Sequence, residues 1–60
     1  MQGTFEVTIR LENDAFQDGA ARLELERILR DIANCVAGGQ FTGACRDRNG
    51  NRVGGFEIRS

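Results

Sequence analysis

Arginine is the residue with the most chemistry to offer in this chain. There are eight arginines, with no lysine and no histidine, so the planar guanidinium is the only cationic side chain available. It pairs bidentately with phosphate or carboxylate. Three of the eight crowd the stretch "RDRNGNR", where Arg46, Arg48 and Arg52 surround the Asn49-Gly50 step. At the tip of a hairpin each could reach a phosphate oxygen. That leaves three readings: a nucleic-acid grip, an arginine-mediated protein contact, or a solvated turn. Against the grip, Asp47 sits among the arginines, and the strand face expected beside them carries Glu6, Glu12 and Glu57. No Phe or Tyr is placed there to stack on bases.

Other chemistry has thin support. Without histidine, the commonest general base is missing. Cys35 and Cys45 read as small buried apolar side chains, because the pattern places no base or electropositive partner beside either. A structural zinc site wants four Cys/His ligands, and no CxxC occurs. Glu6, Glu12, Asp14, Asp18, Glu24 and Glu26 fall on expected solvated faces, caps and loops rather than in a cleft. "GGQFTG" and "NGNRVGG" lack the spacing and context of phosphate-binding loops. The expectation is a protein that is not an enzyme and that holds no metal and no cofactor.

Sixty residues make a single domain, 1–60, whose core is marginal because so little of a chain this short can be buried. Oligomerisation is the expected supplement. The formal charge is -1, with seven acids against four arginines in residues 1–45 and four arginines against two acids in 46–60. That asymmetry is far from a basic DNA-binding domain. "MQGTFEVTIR" shows no basic region followed by an apolar run, and no stretch is long and apolar enough to span a membrane. A reduced, cytoplasmic protein with no membrane partner is therefore expected.

The elements that must position these residues are legible from periodicity. In "TFEVTIRLE" Phe5, Val7, Ile9 and Leu11 alternate with Glu6, Thr8, Arg10 and Glu12, a strand with one buried face. "NDAFQDG" breaks the alternation, and Phe16 is expected to fold back as a lid on one end of the core. Asp18 is the best helix N-cap. From Gly19 to Ala37 the period becomes helical, with Ala21, Leu25, Ile28, Leu29, Ile32 and Val36 on one face and Arg27, Arg30 and Asn34 opposite. Glu26 with Arg30 and Arg27 with Asp31 are spaced as helical ion pairs, and Gly38-Gly39 supplies a left-handed stop.

Asn49-Gly50 predicts a two-residue type I′ hairpin. Its register puts Gly43 opposite Phe56, Phe41 opposite Ile58, Cys45 opposite Gly54 and Asp47 opposite Arg52. Phe41, Cys45, Phe56 and Ile58 then share the inward face, with the Phe56 ring lying over Gly43. Thr42, Ala44, Arg46, Val53, Gly55 and Glu57 share the other. The order β-α-β-β with one helix predicts an α+β two-layer fold, its three-stranded sheet antiparallel in the order 1-3-2. The order 3-2-1, through a right-handed crossover, is the alternative.

Two surfaces remain unexplained by this architecture. Leu23 falls on the outward side of the helix beside Arg27, and the first strand is a long regular edge without proline or lysine. A homodimer follows as an expectation. Two first strands pair antiparallel about Thr8, with Glu6 of one facing Arg10 of the other. The candidate partner-binding residues are thus Arg46, Arg48, Arg52, Leu23 and Arg27, and the candidate dimer edge is Glu6, Thr8 and Arg10.

The chain also resembles the very small, mostly uncharacterised proteins encoded in bacteriophage and prophage genomes. The matching text is "NDAF" at 13–16, "LERILRDIA" at 25–33 and "GACRDRNGNRVGGFEI" at 43–58. These segments are mainly fold determinants, so the resemblance carries no activity onto numbered residues. It implies a category, an accessory protein that modulates a host or phage factor, placed in the host cytoplasm. The expected function is a non-enzymatic protein–protein interaction module of this kind. A nucleic-acid-binding accessory factor using the Arg46–Arg52 tip, and a small structural component, are the alternatives.

Overall fold

The computed structural model describes residues 2–17 and 19–60. Strand β1 (Thr4–Ile9) leads through a single 3₁₀ turn (Asp14–Phe16) to helix α1 (Ala21–Ala37). Strands β2 (Thr42–Arg46) and β3 (Arg52–Arg59) follow. The sheet is antiparallel throughout, in the order β1-β3-β2, and the one helix packs on it. This is the expected α+β arrangement. It puts the glycine-containing strand β3 in the centre and β1 on an edge.

β1 is shorter than its alternation suggests. It ends at Ile9, although the Arg10 N–H still donates to the Val53 carbonyl at 2.7 Å. α1 starts at Ala21, after Ala20, which offers no side-chain cap; Asp18, the expected cap, lies outside the described residues. The helix stops as expected. Gly39 takes a φ of 100°, its N–H donates to the Val36 carbonyl, and the Gln40 N–H donates to the Cys35 carbonyl. That pair of bonds satisfies carbonyls the last turn would otherwise leave open.

The core joins Ile28 and Ile32 of α1 to Cys45, Val53 and Phe56 of the hairpin, with Ala15 and Phe16 closing one end. Phe16 is the lid its position suggested. Gly43 faces Phe56 in the register, and a Cβ at Gly43 would stand 2.6 Å from the Phe56 ring. The aromatic ring thus covers a position where no side chain fits.

The hairpin tip departs from expectation. The connection is not a two-residue type I′ turn. Asp47 N–H donates to the Asn51 carbonyl and Gly50 N–H to the Asp47 carbonyl, each at 2.9 Å, with Gly50 at φ 85°. Three residues therefore cross the turn, ending in a left-handed glycine, the other common hairpin solution. The Asp47 side chain explains the choice, since its Oδ1 accepts the N–H groups of both Asn49 and Asn51 at 2.9 Å. The extra loop residue displaces the register at the strand ends. Cys45 still faces Gly54, but Arg46 faces Arg52, leaving Val53 as a bulge. Val53 consequently turns inward and is 2% exposed, not on the outer face. The expected Asp47–Arg52 pair does not form, and Arg52 stands on the outer face with Arg46.

The helix also sits differently from its apolar stripe. Its buried positions are Glu24, Ile28 and Ile32, while Leu29 is 51% exposed. On a wheel of 3.6 residues per turn this is a roll of roughly 50° away from the stripe centre. The helix backbone comes closest to the sheet at β2. Phe5, Val7, Leu11 and Phe41, all expected in the core, remain substantially exposed, Phe41 at 67%. One 17-residue helix held over β2 cannot also cover β1.

Candidate functional site

The position of the helix traces to Glu24, which the sequence pattern had put in solvent, and the turn it grips is held by Asp47, expected instead to pair with Arg52. Glu24 is 7% exposed. Its Oε2 accepts the Arg48 backbone N–H at 2.7 Å and its Oε1 accepts Arg27 Nε at 2.8 Å. Arg27 reaches on to Asp31 at 3.1 Å and donates to the Arg46 carbonyl at 2.9 Å. Asp47, 4% exposed, holds the turn together and accepts Asn13 Nδ2 at 2.9 Å. The first turn of the helix, the hairpin tip and the loop after β1 are thereby tied at one end of the molecule.

The Arg27 hydrogen bond, helped by the Arg48 N–H, holds the Glu24 carboxyl below its ordinary range despite burial. The Asn13 amide, with the Asn51 and Asn49 N–H groups, does the same for Asp47. Each charge is thus hydrogen-bonded where it is buried, as buried charge requires.

At the other end the same helix leaves an apolar groove of about 700 Å³ against β1. Its walls include Phe5, Val7 and Ile58 from the sheet and Leu29, Ile32 and Val36 from the helix. Phe5, at 48% exposure, leans against Phe56 with ring centroids 6.2 Å apart. Beside this groove runs the free edge of β1. Thr4, Glu6 and Thr8 face Arg59, Glu57 and Gly55 across the ladder, and the Arg10 N–H bonds to Val53. Antiparallel bonding alternates along a strand, so the even-numbered residues turn their backbone groups to β3. Those of Phe5, Val7 and Ile9 point outward, unpaired among the described residues.

The outer sheet face is polar. Glu6 and Glu57 lie opposite one another, and Arg59 bridges them at 3.0 Å and 2.8 Å. Arg46 and Arg52 are cross-strand neighbours, and each donates to a nearby backbone carbonyl, Gly50 and Gly54 respectively. Arg48 contributes its main chain to the Glu24 tie. Arg27, expected on the outer helix face beside Leu23 in an ion pair with Asp31, makes that pair and is committed to the same tie as well. Leu23 is 73% exposed and does not line the groove. The structure therefore gathers Arg46 with Arg52 and Glu6 with Thr8, and leaves Leu23 apart from both. Leu29 and Phe5, absent from the expected site, are what the fold leaves uncovered; their signal was the width of an apolar face too large for one helix.

Chemistry beyond binding is sparse. Cys35 and Cys45 are free thiols, and burial, with Cys35 nearby, pushes the Cys45 thiol up and keeps it protonated. Among the described residues no group of three or more His, Cys, Asp or Glu could hold a metal, and no helix is long and apolar enough to cross a membrane. No family model matches the chain, and neither a curated protein nor a solved structure matches it.

Proposed function

We propose that the protein is a non-enzymatic protein-interaction module whose docking surface is the groove between β1 and α1 together with the open edge of β1. The observation that carries this is the coincidence of the two. An unpaired row of backbone donors and acceptors lies beside exposed Phe5, Val7 and Leu29. Extended chains dock in this way: main-chain bonds to a sheet edge supply attraction, and alternate side chains entering an apolar pocket supply selectivity. The resemblance to phage-encoded accessory proteins supports a role in modulating another protein.

Affinity capture from a host lysate, with and without nuclease, tests this reading. Capture should survive nuclease and be lost in Leu29→Arg, while the combined Arg46→Gln, Arg48→Gln and Arg52→Gln variant keeps it. The reverse pattern, nuclease-sensitive and arginine-dependent, would transfer the function to the hairpin tip.

A further inference from the structure

We infer that the strand completing the β1 edge is β1 of a second copy, paired antiparallel about Thr8; this rests on the reading of that edge as a docking surface. The backbone parity restricts the possible registers. Only Phe5, Val7 and Ile9 present free N–H and C=O groups outward, so an antiparallel partner must oppose odd residues to odd residues. With a two-fold axis at Glu6, the two Glu6 carboxylates would face each other. With the axis at Val7, Glu6 faces Thr8 and Arg10 faces Thr4. An axis at Ile9 sets Glu6 against Glu12. Placing it at Thr8 pairs Val7 with Ile9 of the partner, and Glu6 with Arg10 of the partner, twice by symmetry. Among the described residues Arg10 makes no salt bridge within its own chain. In this register it extends the Glu57–Arg59–Glu6 row across the seam.

The apolar side agrees with the polar side. Continued alternation brings Leu11, 42% exposed, beside Phe5 of the partner, at the mouth of the groove that Phe5 lines. Antiparallel edge pairing also keeps both helices on one side of a continuous six-stranded sheet. One register therefore satisfies the hydrogen bonds, the charges and the exposed apolar residues together. A foreign strand would have to reproduce all three.

Sedimentation equilibrium on the wild type and three variants tests this. Glu6→Arg alone and Arg10→Glu alone each place like charges opposite one another twice, and should weaken dimerisation about tenfold or more. The double swap, Glu6→Arg with Arg10→Glu, should restore it. Hydrogen exchange on the wild type guards against variants that misfold: the Phe5, Val7 and Ile9 amides should gain protection with rising protein concentration, and Thr8 should not. A mass of 6.6 kDa persisting at hundreds of micromolar would overturn self-pairing. So would a dimer whose strength ignores the charge swap. Capture lost in Leu29→Arg alongside a strictly monomeric wild type would leave the docking surface standing and remove only the second copy as its occupant.

Discussion

The two ends of this molecule are built from the same helix and the same sheet, yet they solve burial in opposite ways. At the hairpin end Glu24 and Arg27 satisfy each other and the hairpin backbone, Asp47 is satisfied by Asn13 and its own turn, and the core beneath them is closed by Phe16 and Val53. At the β1 end no hydrogen bond or salt bridge among the described residues ties the helix to the sheet, and Phe5, Val7 and Leu29 line an open groove. A buried carboxylate whose partners are fixed dictates where the helix must lie. Having been drawn toward β2, the helix has no second face with which to close β1. The difference teaches that the polar end sets the geometry and the apolar end inherits what is left over.

Substitutions can break this contrast. The largest effect is expected from Phe56→Ala, because Phe56 spans the boundary, lying over Gly43 and against Phe5. A loss of about 3–5 kcal/mol in urea unfolding is expected, most of what a domain this small possesses. Ile28→Ala, at the buried centre of the helix, should cost about 2–5 kcal/mol. Its neighbour Leu29→Ala should cost no more than about 1 kcal/mol in the monomer, because half of that side chain is already in water. Equal costs at 28 and 29 would mean that the groove is closed in solution.

Acid sharpens the comparison through the two buried carboxylates of the hairpin end. Glu24 and Asp47 are both held below their ordinary values, so their contribution is complete above the unfolded carboxylate range and is lost as pH falls through the lowered folded values. Thermal unfolding followed by circular dichroism should show stability declining below about pH 4. The Glu24→Gln, Asp47→Asn pair should be less stable at neutral pH and show a flatter acid limb. The smallest effect belongs to Leu23→Ala, which touches neither end and should change stability by at most about 0.5 kcal/mol.

Much of this arrangement is readable from periodicity. The alternation from Phe5 to Ile9, the helical spacing of Ile28 and Ile32, and the pairing of Gly43 with Phe56 each follow from one repeat length matched to one face. What escaped was decided by single polar side chains acting across sequence. Asp47 binds two N–H groups of its own turn and so converts the loop from two residues to three, which turns Val53 inward. Glu24 lies at the margin of the helical stripe, and nothing local announces that Arg48 will bring an N–H to it. The groove escaped for a related reason, since a wheel shows which face is apolar but not how far a helix is rolled by a tie at one end. Of the expected site, Glu6, Thr8 and Arg10 flank the open edge, whereas Arg27 is consumed in holding the fold.

The β1–β3 register carries a consequence for the order in which the chain assembles. The β2–β3 hairpin joins residues close in sequence, but β1 reaches β3 by pairing Thr4 with Arg59, closing a loop of nearly the whole chain. Contacts of such separation cost the most loop entropy and tend to form late. β1 is thus expected to be the last strand to arrive, so that substituting Val7 should speed unfolding more than it slows folding. The latest-arriving strand is also the one whose outer rim stays unoccupied, and until it docks the side of the helix that faces away from β2 is open to any passing strand.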